Sequence, residues 1–153
     1  AILKALPYFK DSKAVLIHNV DIITDIDFQS VYNNFTDSND AAWLITQNRN
    51  NKRKLVFDKN DNYVGRYNLA TNQTDGDFEL TKNSKLLSFS GLHIINPDYF
   101  YDFELKKCYV FDLYKELSKR NNVKSKFIQA GYWFDLGTKE QLKEASTWLL
   151  SQI

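Results

Sequence analysis

Two aspartates are the residues of this chain best placed to do chemistry. Asp21 ends the stretch Ala14-Val15-Leu16-Ile17-His18-Asn19-Val20-Asp21, in which a short apolar run rich in branched side chains gives way to a polar tip. A carboxylate at the tip of a buried strand has a fixed backbone and an open side. That suits a hard divalent cation, which takes oxygen ligands and keeps several waters. Asn19, two residues earlier, points to the same face of an extended segment. Asp135 lies in Gly131-Tyr132-Trp133-Phe134-Asp135-Leu136-Gly137-Thr138, where an acid is followed by a glycine for a tight turn and a residue suited to open a helix. A helix start also offers free N–H groups to an anion. Read alone, each aspartate is equally the kind of residue that closes a turn after a strand.

Other reactive types give weaker signals. Gly91, in Phe89-Ser90-Gly91-Leu92-His93, interrupts a strand pattern, which marks a bulge or a close approach of ligand to backbone. His18 and His93 are expected to be structural, since neither has a visible partner. Cys108, beside Tyr109-Val110-Phe111, is expected to be a small packed apolar residue. The basic run from Arg49 to Lys54 is interleaved with asparagine and reads as a solvated loop rather than a phosphate patch. There is no Gly-x-Ser-x-Gly motif, P-loop or GxGxxG; the five glycines are unclustered,.

These residues need elements to hold them. Ile2 to Phe9 has helical spacing, with Pro7 near its end. Ala14 to His18 is continuously apolar, the pattern of a parallel strand buried on both faces. Thr24 to Asp27 offers caps for a helix through Phe28, Val31, Tyr32 and Phe35. Ala41 to Thr46 is a second buried strand, so the first fifty residues read as a βαβ unit. In such sheets ligands bind beyond the carboxyl ends of the strands, where Asp21 lies. Lys54 to Asp58 and Tyr63 to Tyr67 form a hairpin candidate across Lys59-Asn60-Asp61-Asn62. A weak strand is expected near Phe78 and a long one over Leu86 to Ile95. Pro97 should start a helical turn, and Phe111 to Arg120 a helix. Val123 to Gln129 alternates like a half-exposed strand. Thr138 should cap a helix over Lys139 to Leu150.

Bulk properties exclude several classes. The 153 residues suit one domain or a large part of one,. A net charge of +1 gives no field for nucleic acid or membrane,. One cysteine excludes an intrachain disulfide and makes the cytoplasm the simplest home,. No apolar run reaches the length of a membrane span. The chain begins Ala1-Ile2-Leu3 and contains no methionine, which suggests that it starts inside a domain.

Four segments, taken in order, resemble one known family. His18-Asn19-Val20-Asp21-Ile22-Ile23-Thr24-Asp25, Leu55-Val56-Phe57-Asp58, Phe89-Ser90-Gly91-Leu92-His93-Ile94-Ile95 and Trp133-Phe134-Asp135-Leu136-Gly137-Thr138 are similar to motifs of the sugar-1-phosphate nucleotidyltransferases. The nearest branch contains mannose-1-phosphate guanylyltransferases and N-acetylmuramate-1-phosphate uridylyltransferases. The resemblance covers nearly the whole chain. It implies an α/β Rossmann-like fold, with a mixed, mostly parallel sheet and flanking helices. It implies a reaction of NTP with sugar 1-phosphate that gives an NDP-sugar, such as GDP-mannose, and pyrophosphate. It also implies Mg²⁺ held by Asp21 and Asp135, with Asn19, Gly91 and Trp133 at the substrate.

One departure is large. The family's N-terminal Gly-rich signature, which cradles the NTP phosphates, has no counterpart here. Residues 1–153 therefore read as the C-terminal portion of a single nucleotidyltransferase domain, with an open sheet edge through which copies could associate. A metal-dependent glycosyltransferase and a non-catalytic sugar-nucleotide-binding domain are the competing readings. This chain by itself is expected not to turn over NTP. Robust product from NTP, sugar 1-phosphate and Mg²⁺ in a transfer assay would contradict that.

Overall fold

A computed structural model describes residues 2–104, 108–120 and 122–152. The chain opens with a helical turn, α1 (Ile2–Ala5), that tightens into a 3₁₀ turn over Leu6–Phe9, where Pro7 sits in the first turn,. Next come β1 (Val15–His18), β2 (Ile22–Thr24), α2 (Phe28–Thr36) and β3 (Ala42–Gln47). A meander follows: β4 (Arg53–Phe57), β5 (Tyr63–Asn68) and β6 (Gln73–Asp75). The long β7 (Lys85–Ile95), a 3₁₀ turn at Pro97–Phe100, α3 (Val110–Ser118), β8 (Val123–Phe127), β9 (Trp133–Asp135) and α4 (Lys139–Leu150) complete it.

Strand β7 organises the main sheet, whose order is β6-β5-β4-β7-β3-β8, with β1 also on β7. β1 and β3 both pair with residues 93–95 of β7 and so flank it on opposite edges. The expected strand-helix-strand unit is present, and β1, β3 and β8 run in one direction. An antiparallel strand is interposed, however, and β3–β8 is the one parallel pairing among the described strands. The expected mostly parallel sheet is therefore mostly antiparallel in its direct pairings. β1 is half-buried rather than buried on both faces, because its four residues lie beside β7 alone. The strand expected near Phe78 lies instead at Gln73–Asp75. Phe78 places its ring over Gly65 and Gly76, where an added Cβ would stand 2.6 and 2.9 Å from it.

Alternation along β3 explains the layers. Ala42 and Leu44 join a cluster with Phe57, Tyr63, Phe100, Leu113, Tyr114 and Leu117, on the α3 side. Trp43 and Ile45 join Val31, Phe35, Leu92 and Ile94, on the α2 side. All six β3 residues are buried, which is why the sequence shows a continuous apolar run instead of alternation. Burying a side chain such as Leu44, Ile45 or Ile94 contributes about 1.5–3 kcal/mol. Asp27 caps α2 by accepting from the Ser30 N–H at 3.0 Å. Thr138 caps α4 by accepting from the Gln141 N–H at 3.2 Å. Asp58 closes the β4–β5 turn by accepting from the N–H groups of Asn60 and Asn62, each at 2.8 Å. Cys108 is exposed rather than packed, since it lies in the connection before α3 and in no packed element. Among the described residues, no helix is long and apolar enough to cross a membrane.

His93 belongs to the core. It is buried, and its Nδ1 pairs with the Tyr114 hydroxyl. Burial pushes its pKa down to about 4. Between that value and the ordinary one near 6.5, the unfolded chain binds a proton that the folded chain does not, so stability falls with decreasing pH. Urea unfolding should show a loss of roughly 3 kcal/mol between pH 6.5 and 4 from this group. His93→Gln should flatten that dependence.

Candidate active site

Two distant segments are joined beside β7. β2 pairs antiparallel with β9, with Ile22 opposite Asp135 and Thr24 opposite Trp133. The Leu136 N–H donates to the Asp21 carbonyl at 2.7 Å. The Thr24 hydroxyl donates to the Tyr132 carbonyl at 3.1 Å. The Asp25 carboxylate accepts from the Gly131 N–H at 2.9 Å and the Tyr132 N–H at 3.3 Å. A Cβ at residue 131 would lie 2.4 Å from the Asp25 carboxylate, so a larger residue there would push the carboxylate aside.

The small sheet rests on an irregularity in β7. Leu44 faces His93 and Thr46 faces Phe89, so Ser90, Gly91 and Leu92 all lie opposite Ile45. Two extra residues are thus accommodated as a bulge. Gly91 takes a φ of 85°, and a Cβ there would be 2.7 Å from Ile22 Cγ1 and 3.5 Å from Asn19 Cβ. Its carbonyl accepts from the Asn19 N–H at 2.9 Å. The Ser90 carbonyl accepts from Trp133 Nε1 at 2.7 Å. The Ser90 hydroxyl donates to the Ile45 carbonyl at 2.9 Å, giving that carbonyl a partner where the ladder is interrupted.

The residues singled out in the sequence thus stand together: Asn19 and Asp21 in the turn after β1, Gly91 in the bulge, Trp133 and Asp135 on β9. Asp21 is exposed and Asp135 half-buried. Asp135 Oδ1 accepts from the Gly137 N–H at 2.9 Å, which fixes the carboxylate at the entry to α4. Asp21 lies ahead of β2 in a turn, so strict strand alternation does not govern its side chain. Among the described residues there is no group of three or more His, Cys, Asp or Glu able to hold a metal. A cation here would draw two carboxylates from the protein and its other ligands from water or substrate, a donor set that fits Mg²⁺.

The basic run is not the solvated loop expected from its composition. Lys52 and Arg53 are exposed, but Arg49 is half-buried and Lys54 is buried. The Arg49 guanidinium lies over the Trp133 ring, 3.5 Å from its centroid, and donates to the Phe89 carbonyl. Burial lowers the Arg49 pKa, while nearby Asp135 raises it. Lys54 Nζ donates to the Arg49 carbonyl at 2.5 Å and to Ser88 Oγ at 2.9 Å. Burial lowers the Lys54 pKa, and Arg49 adds to that effect. The overlooked signal was positional. Arg49 follows the carboxyl end of β3 just as Asp21 follows that of β1, and Lys54 begins the inward-facing part of β4.

No family model matches the chain, and no curated protein does. Solved structures do. A Bacillus anthracis protein assigned as a glucose-1-phosphate thymidylyltransferase, crystallised with sucrose, is 15% identical with a TM-score of 0.70 over 95% of this chain and 58% of its own. HddC from Yersinia pseudotuberculosis, complexed with GMP-PN, is 14% identical with a TM-score of 0.67 over 97% of this chain and 60% of its own. A second structure of HddC from the same organism gives a TM-score of 0.66 at 14% identity, over 97% of this chain and 60% of its own. At such identities the likeness shows the fold, a Rossmann-like α/β architecture, and the chain spans about three-fifths of each neighbour's length.

Gly91→Ala tests how far the bulge positions the site. It combines a left-handed backbone with a 2.7 Å approach to Ile22, and should lower stability by about 1–3 kcal/mol in urea unfolding. The backbone amide signals of Asn19 and Leu136 should shift with it.

Proposed function

We propose that this chain supplies the metal- and sugar-binding part of a sugar-1-phosphate nucleotidyltransferase. The observation that carries the reading is the convergence of Asn19, Asp21, Trp133 and Asp135 on the Ser90–Gly91 bulge. With the bulge they represent three separate segments of the family-like pattern, and β2–β9 pairing and the Trp133–Ser90 hydrogen bond hold them together.

In the proposed reaction, a phosphate oxygen of the sugar 1-phosphate attacks the α-phosphorus of an NTP. The bond between that phosphorus and the bridging oxygen breaks, and pyrophosphate leaves. In-line transfer of this kind needs positioning and charge neutralisation rather than covalent help. Asp21 and Asp135 would hold Mg²⁺, which supplies positive charge to the phosphate oxygens when bound. The open backbone at Gly91 lets the sugar approach, with Asn19 and Trp133 as walls beside it. This sequence contains no Gly-rich phosphate loop to cradle the nucleotide.

The names of the structural neighbours agree with this chemistry: one is named for glucose 1-phosphate, and another was crystallised with GMP-PN. GDP-mannose is the specific product we propose, following the branch that the motifs resemble. In the full-length protein, Asp21→Asn and Asp135→Asn should each reduce Mg²⁺-dependent pyrophosphate release on the order of 10²-fold or more. Their unfolding midpoints should stay near that of the parent. Retained activity in both variants would sink the assignment.

A further inference from the structure

We propose that Arg49 is a phosphate-recognising residue of this cleft, its guanidinium held over Trp133 beside Asp135 so that it receives an anionic phosphate oxygen. The inference rests on reading the cleft as a phosphate-handling site. It adds a group that the aspartate-centred reading does not contain.

The guanidinium is held in place before any ligand arrives. The Trp133 ring lies beneath it, and Nη2 is tied to the Phe89 carbonyl. Trp133 is itself tied through Nε1 to the Ser90 carbonyl. Cation, ring and bulge therefore form one stack, and a guanidinium held this way suits charge-assisted hydrogen bonding to phosphate. Ordering a long arginine side chain in advance also removes an entropic cost from binding.

Polar groups in and beside this stack lack partners. Arg49 Nε is buried without a partner, and both amide atoms of Gln47 are also buried and unpartnered. Gln47 is fully buried and pairs in register with Ser88, which puts it beside the Lys54–Ser88 contact. An unmet buried donor costs about 1–3 kcal/mol.

Charge points the same way. Among the described residues Arg49 makes no ion pair. Asp135 acts on it only through space. Lys54 puts a second cation behind it, bonded to the Arg49 carbonyl. The result is a half-buried cationic corner at the carboxyl end of β3, where open α/β sheets take their ligands. The carried group is a phosphate, from either a sugar phosphate or a nucleotide.

The test uses this chain and the indole N–H signal of Trp133, identified by its loss in Trp133→Phe. Mannose 1-phosphate, GTP and inorganic phosphate are titrated separately. The parent chain should move that signal with mannose 1-phosphate or GTP, and the responding arm identifies the source. Arg49→Gln should weaken the affinity about tenfold or more. Arg49→Lys should restore only part of it, because lysine keeps the charge without the stacked fork. Equal affinities in the parent and Arg49→Gln would overturn the proposal, as would silence of the parent towards all three ligands. The two readings fail separately. If Arg49→Gln keeps full phosphate affinity while Asp135→Asn abolishes turnover, Arg49 is excluded and the reaction stands. If phosphate binds through Arg49 but the full-length protein makes no NDP-sugar, the reaction is excluded and Arg49 stands.

Discussion

The bulge at Ser90–Gly91 is the constraint on which the rest of the site depends. A regular β7 would carry its hydrogen bonds uninterrupted past β3 and present side chains at this point. Two extra residues instead turn carbonyls outward, to Asn19 from Gly91 and to Trp133 from Ser90. The Asp21 turn and β9 therefore dock partly on backbone, through these two carbonyls. Irregular backbone in a sheet is costly, and here the Ser90 hydroxyl offsets part of the loss by serving the Ile45 carbonyl and the Leu92 N–H,. Only glycine allows Ile22 to pack as closely as it does.

Elements carried by local physics were legible in the sequence. Thr138 and the helix after it, Pro97 and its turn, the β4–β5 hairpin and the buried run of β3 all follow from caps, turn residues and hydrophobic pattern. Strand direction was not legible, because a continuous apolar run reports burial on both faces and says nothing of its neighbours. β3 owes its apolar character to α2 and α3, while β7, far along the chain, decides that its pairing is antiparallel. β1 shows the same limit in reverse, being apolar yet set beside a single strand.

The candidate site was legible in part. Asp21, Gly91 and Asp135 stood out because each breaks a local pattern. Arg49 and Lys54 did not, since a basic run with asparagines has the composition of a solvated loop. What draws these two inward is Trp133 and Ser88, both distant in sequence, and no local pattern encodes them. Asp25 was hidden for the opposite reason. It lies among N-cap residues, where an acid has an ordinary use, yet its carboxylate closes the Gly131 turn while Asp27 does the capping.

That Asp25–Gly131 closure has a consequence for when the site can exist. Its partners are 106 residues apart in the chain, and β2–β9 pairing spans a similar interval. During synthesis the β3–β7 core can collapse before residues 131–137 have emerged, but the aspartate pair cannot form until they do. Contacts of such separation carry their loop-closure cost before any reward. Assembly of the candidate site is thus coupled to the emergence of residues 131–137: a product interrupted before them would keep much of its core and lack Asp135 altogether.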